Sequence, residues 1–273
     1  MKPFGEERVT DNLRIVGLQM ECSQDIEHNK NQILDCIKSQ TNKTTTYIVT
    51  PEGALSGYFA GCDLEGTTQA ICKIQTACKK YKVGIFLGTI LADSEGIRNT
   101  AIVIDTHGEI IYNQNKVILV ENDVGIGCIA GKTATRPCVL KDAANLTVTT
   151  TICNDFWGSA FSSTANNIPS TYIEMHEPDL MIHLTNGMRG MNNFIDDAHF
   201  KWHESNLQMQ SLFWQIPIVC VDNCYHIDGV FYDGNTSAPS GVWYNGIKVA
   251  SANTKQQDVF DYTFRIDKLK GQF

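Results

Sequence analysis

The chain has 273 residues, 42% of them hydrophobic, which is enough to bury a large core and argues against a disordered or fibrous protein. Its formal net charge of -8, with Lys and Arg scattered rather than gathered in a stripe, would repel phosphate backbones and anionic lipid. Nucleic acid and membrane partners are therefore not expected.

The segment Met1 to Asn12 is polar without an apolar signal-like core, and no uninterrupted apolar run is long enough to cross a bilayer, so a cytoplasmic protein is expected. The ten cysteines lie mostly in apolar periodic segments, where free Cys acts as a small hydrophobe, and a chain this long needs no disulfide staples. The Asn-x-Thr/Ser sequons at Asn42, Asn145 and Asn235 are read as chance matches.

Leu13 to Met20 predicts a strand, followed by Ser23 as a helix cap and an amphipathic helix over Ile26 to Ser39. Thr45 to Thr50 is β-branched and stops at Pro51. Helical spacing over Thr67 to Tyr81 then leads into a strand from Val83 to Thr89. Asn99 to Asp105 and Glu109 to Val120 predict a hairpin turning at Thr106-His107-Gly108. Later strands are predicted at Thr147–Ile152, Asp179–Leu184, Pro217–Asp222, Ser240–Tyr244, Lys248–Ala250 and Asp258–Ile266, with helices before Pro178 and across Asp197–Trp214. Alternation first, with hairpins in the middle and at the end, suggests mixed sheets covered by helices. No linker, low-complexity tract or repeat divides the chain, so one domain over residues 1–273 is expected.

Three residues stand out for chemistry. Cys153 lies where the strand Thr147–Ile152 breaks at polar residues, and a strand end can present a nucleophile beside free backbone N–H groups. Glu52 follows another strand, where partial burial would raise a carboxylate toward the range of a general base. Lys116 is a lone cation in a run that is otherwise neutral and mostly apolar. Singly, each has a plain reading: a lone Cys is most often a buried thiol, a loop Glu solvated surface, and a strand Lys a snorkelling side chain.

Together, in the order Glu, Lys, Cys and each at or after its own strand, they resemble the nitrilase (carbon-nitrogen hydrolase) superfamily, in its amidase-like branch. Pro51, Glu52, Leu55, Gly57 and Tyr58 match its Pro-Glu-x-x-Leu-x-Gly-Tyr, Lys116 its hairpin-strand lysine, and Ile152, Cys153 and Asp155 its Ile-Cys-x-Asp. The resemblance spans nearly the whole chain and implies a four-layer α-β-β-α sandwich, paired into a homodimer or larger assembly.

It also implies a mechanism without cofactor. Glu52 takes the thiol proton, Cys153 attacks a small amide or carbamoyl carbon, and Lys116 with the backbone N–H of Asn154 holds the developing oxyanion. Ammonia or an amine leaves, and water hydrolyses the thioester. A second glutamate commonly lies between the Lys and Cys motifs; Glu121 is the only Glu in that interval. Tyr58 and Trp157 are expected as pocket walls, and Asn186 as a substrate contact.

The chain departs from the family where Phe156-Trp157-Gly158-Ser159 replaces the usual Arg and Pro-Glu after the nucleophile. Arg189 could substitute as a carboxylate anchor. Two alternatives are a true nitrilase, which more often carries Trp-Glu directly after the cysteine, and a catalytically silent binding module. Zinc finds little support in Cys220, Cys224 and His226 without a second cluster, and no phosphate-binding glycine motif is present.

Overall fold

The computed structural model describes residues 12–40, 44–157, 168–187, 193–224, 226–227, 230–231, 238–253 and 256–270, with backbone alone at 193–197, 226–227 and 230–231. Arg189, Gly158 and Ser159, the sequons at Asn42 and Asn235, and the start of the chain lie outside them.

The elements run β1 (Asn12–Gln19), α1 (Ile26–Ser39), β2 (Thr45–Val49), α2 (Leu64–Tyr81), β3 (Val83–Ala92), β4 (Ile97–Ile104) and β5 (Ile110–Asn115). Then come α3 (Glu121–Ile126), β6 (Cys138–Leu140), β7 (Leu146–Ile152), α4 (Ile168–His176), β8 (Leu180–Leu184), α5 (Asn193–Trp214) and β9 (Ile218–Val221). The chain closes with β10 (His226–Ile227), β11 (Val230–Phe231), β12 (Gly241–Tyr244), β13 (Ile247–Ser251), β14 (Asp258–Arg265) and α6 (Ile266–Leu269).

Two six-stranded sheets result, ordered β14-β1-β2-β3-β4-β5 and β13-β12-β9-β8-β7-β6. In each, a parallel trio, β1-β2-β3 or β7-β8-β9, is flanked by antiparallel strands. Alternation along the strands decides which residues face where. Leu13, Ile15, Tyr47, Val49, Phe86 and Val103 of the first sheet share one buried cluster with Val148, Ile152, Leu180, Ile182, Val219 and Val221 of the second. Val16, Leu18, Ile48, Ile85 and Leu87 point the other way, onto Ile33 and Ile37 of α1 and Ile71 and Ile74 of α2. On the outer face of the second sheet, Met181, Ile218, Cys220 and Trp243 pack with Ile173 of α4 and Leu207 of α5. The layers are thus helix, sheet, sheet, helix, the α-β-β-α sandwich implied above.

The helices start where their caps dictate. Asp25, not Ser23, caps α1 by accepting the His28 N–H at 3.1 Å; the Ser23 hydroxyl instead accepts the Asp25 N–H at 3.1 Å. Asp63 caps α2 at Gly66 N (2.9 Å), so that helix begins before Thr67. The strand expected to reach Val120 ends at Asn115, because the backbone beyond has other partners. Lys116 N still donates to Asn99 O (2.8 Å), but Lys116 O accepts from Gly131 N (2.7 Å), and the Val117 and Ile118 amides turn to the Asp155 carboxylate. Lys116 therefore stands just past the hairpin strand, and the short α3 follows directly on the residues expected to extend it. No helix among the described residues is long and apolar enough to cross a membrane.

Candidate active site

The loop after β2 carries the acid. Thr50 N donates to Phe86 O (3.0 Å), keeping the chain against β3, and Gly88 of that strand has no side chain to obstruct it: a Cβ there would lie 2.0 Å from Pro51 O. Gly53 turns the loop at φ 64°, in the left-handed region. The Glu52 backbone is then grasped from the opposite sheet, its N–H donating to Thr185 O (3.3 Å) and its carbonyl accepting the Asn186 Nδ2 at 2.9 Å.

The Glu52 side chain is fully buried. Its Oε1 accepts from Lys116 Nζ at 2.8 Å and from Asn99 Nδ2 at 2.7 Å, while Oε2 has no hydrogen-bond partner among the described residues. Asn99 Nδ2 also donates to Asp123 Oδ1 at 2.7 Å. Lys116 Nζ lies 2.7 Å from Asp123 Oδ2, which also accepts the Val120 N–H at the start of α3 (2.9 Å). The Tyr58 hydroxyl donates to Asp123 Oδ1 at 2.8 Å and lies 3.3 Å from Lys116 Nζ. One cation thus sits between two buried carboxylates.

Burial raises the Glu52 pKa, Asp123 reinforces the rise, and Lys116 and Asn99 oppose it. For Lys116, burial would lower the pKa, but Glu52, Cys153, Tyr58 and Asp123 outweigh it and hold the ammonium above its ordinary range. The lysine is a fixed positive charge.

Cys153 follows β7 at φ 45°, in the left-handed region uncommon for residues other than glycine. Asp155 fixes this turn: its Oδ1 accepts from Ile118 N (2.7 Å) and Val117 N (3.0 Å), and its Oδ2 from Ile152 N (3.4 Å). The same carboxylate therefore joins the lysine segment to the cysteine segment. Burial pushes the Asp155 carboxyl up to about 7, against the pull of those N–H groups. Burial, reinforced by Glu52, pushes the Cys153 thiol up to about 12; Lys116 and a hydrogen bond with Thr185 pull it back. At neutral pH the thiol keeps its proton until a base removes it.

The remaining expected residues fall in different places. Glu121 is exposed on the first turn of α3, outside the cluster, and the acid that reaches Lys116 from that helix is Asp123. Both ends of the Asn186 amide are used internally, since its Oδ1 also accepts from Asn223 Nδ2 at 2.6 Å, so it supports the Glu52 loop. Trp157 packs on Phe156, His183, Trp202 and His203, with ring centroids 5.1, 4.7, 5.8 and 4.2 Å away. Asn154 is half-buried directly after the cysteine. Sequence reading missed Asn99 and Asp123. The one available signal for Asp123 was its place three residues after Val120, where a carboxylate can cap a helix start.

The sequence matches the carbon-nitrogen hydrolase family over residues 12–247. No curated protein sequence matches it. Among solved structures, a carbon-nitrogen hydrolase from Helicobacter pylori G27 superposes with a TM-score of 0.73 at 15% identity, covering 95% of this chain and 91% of that one. A variant of the amidase from Nesterenkonia sp. AN1, with the acetamide moiety of fluoroacetamide added covalently at its active site cysteine, gives 0.71 at 17% identity over 97% and 95%. A second variant of that amidase, in complex with butyramide, gives 0.70 at 17% over 95% and 94%. At such identities the likeness concerns the fold. The family match over most of the length carries the assignment: the chain belongs to the carbon-nitrogen hydrolase family and is a hydrolase enzyme.

Proposed function

We propose that this single-domain enzyme cleaves a non-peptide C–N bond of a small amide or carbamoyl compound through a thioester on Cys153. The observation that carries the reading is the buried Glu52–Lys116 pair with one carboxylate oxygen unengaged, whose two charges act in opposite directions on the Cys153 thiol, Glu52 raising its pKa and Lys116 lowering it. Glu52 takes the thiol proton as sulfur attacks the carbonyl carbon. Lys116 and the Asn154 N–H hold the oxyanion. Protonated Glu52 then passes its proton to the leaving ammonia or amine, and water attacks the thioester with Glu52 again as base. Asp123 takes the part expected of Glu121, neutralising Lys116 from its other side.

Two features favour a small, uncharged acyl group. The amidase from Nesterenkonia sp. binds butyramide and, in another variant, acrylamide. In this chain Phe156 and Trp157, directly after Asp155, pack into the aromatic cluster and provide no cation for a substrate carboxylate. The same reading includes a homodimer or larger assembly through α5, on which Trp202, Leu212 and Phe213 are 48%, 60% and 43% exposed.

Ammonia release over a panel of aliphatic amides, carbamoyl compounds and nitriles tests it. Amides should turn over, Cys153→Ala should not, and mass spectrometry of quenched wild type should find an acyl adduct on the Cys153 peptide. Full turnover by Cys153→Ala would refute the mechanism, and turnover of nitriles alone would refute the substrate class.

A further inference from the structure

We propose that Asn99 is a positioning residue that makes Glu52 Oε2 the oxygen exchanging a proton with Cys153, by locking Oε1 and holding Glu52 and Asp123 at a fixed separation. This deepens the reading of Glu52 as the base and rests on it.

The amide has two N–H bonds, and each meets a different carboxylate at 2.7 Å. Its orientation follows from chemistry, because a flipped amide would turn its oxygen toward two acceptors. The Asn99 Oδ1 is buried and finds no hydrogen-bond partner among the described residues, so the side chain is oriented by what its nitrogen holds.

Lys116 and Asn99 together occupy Oε1 with two short, charge-assisted contacts, leaving Oε2 as the oxygen with open lone pairs. Rotation of the carboxylate would exchange the two oxygens, and the pair of donors opposes it. The backbone of the same residue also places the cation, since Asn99 O accepts the Lys116 N–H at 2.8 Å. Asn99 lies within β4, hydrogen-bonded to both β3 and β5, so the donor is carried by a rigid sheet position. Every contact made by its side-chain nitrogen is to a carboxylate, so its effect on substrate is indirect.

Donors to an ionised carboxylate stabilise that form, so their loss should raise the pKa at which the base becomes active. The comparison is Asn99→Leu, similar in shape without donors, with Asn99→Ser retaining one. Two pH profiles are measured from 4.5 to 9: kcat/KM on the best amide of the panel, and the rate of Cys153 alkylation by iodoacetamide. In Asn99→Leu the acidic limb of both should move up by about one pH unit, with a smaller move in Asn99→Ser and kcat falling more than KM rises. If Asn99→Leu does not fold, the shift in Asn99→Ser decides alone. Unmoved limbs in a folded variant overturn the proposal, since a purely structural role would lower the amount of enzyme and leave its titration unchanged. A wild-type acidic limb that persists in Glu52→Gln would instead overturn the assignment of Glu52 as base.

Discussion

Replacing Lys116 with Met should destabilise the fold in a pH-dependent way. The ammonium lies 2.8 Å from Glu52 Oε1 and 2.7 Å from Asp123 Oδ2, and all three side chains have 0% exposure or nearly so. Removing it leaves two carboxylates buried around one neutral amide. Stripping one partner from a buried pair costs about 3–5 kcal/mol. For a chain of this size that is a fall in Tm of about 6–20 °C at pH 8. The protein can relieve this by keeping a proton on Glu52, whose pKa is already raised by burial and would rise further without the lysine. A carboxyl with a raised folded pKa binds its proton more tightly folded than unfolded. Destabilisation from it is therefore absent below the unfolded pKa of about 4.3 and complete above the folded pKa. The Tm deficit of Lys116→Met should be large at pH 8 and shrink toward pH 5. Adding Glu52→Gln should recover part of the loss at pH 8, because the two sites are coupled. Thermal unfolding by circular dichroism at both pH values is the assay, with turnover expected to drop about 100-fold to 1,000-fold in the folded variant. A Tm equal to wild type at pH 8, or a deficit identical at pH 5 and pH 8, would refute the picture of one cation neutralising two carboxylates.

Iodoacetamide should inactivate the enzyme through Cys153, but Cys72 is the exposed thiol and will compete, so the measurement belongs in Cys72→Ser. There peptide mapping should find Cys153 modified in step with lost activity; modification of Cys128 or Cys220 in step with it would point to another nucleophile. Glu121→Ala should keep wild-type kcat/KM while Asp123→Asn loses about 10-fold or more, and the reverse ranking would restore Glu121 to the site. Light scattering should return at least a dimer, and Trp202→Glu should shift it toward the monomer; a monomeric wild type at micromolar concentration would remove α5 as an interface.

Much of the fold was legible because strand alternation and β-branched runs are local signals. Ile15 and Val16, on opposite faces of β1, already separate the inter-sheet layer from the helix layer. What escaped depends on where a particular group points. Glu121 and Asp123 are two residues apart, and only the path of α3 decides between them: the Val120 N–H takes Asp123 Oδ2 and aims that carboxylate inward. Asn99 reads as one polar residue in a β-rich run, and its two acceptors come from the loop after β2 and from α3. The end of β5 was overrun because Val117 and Ile118 have strand-like side chains, while their amides are claimed by Asp155, 38 and 37 positions later. The strand β6 has only three residues, too few for periodicity to register.

The clasp on Glu52 has a consequence for the order of assembly. Its carbonyl is held by a side chain 134 positions away, just past β8 of the other sheet, and its carboxylate by a lysine 64 positions away. The first sheet brings the carboxylate and its lysine together, but the backbone clasp and the thiol come from the second. On refolding, local helices and hairpins close short loops early, whereas the clasp on the Glu52 backbone waits for the two sheets to dock. Helical circular dichroism should therefore return before hydrolysis does. An intermediate with paired strands and undocked sheets would carry every residue of the site and still leave its thiol unactivated.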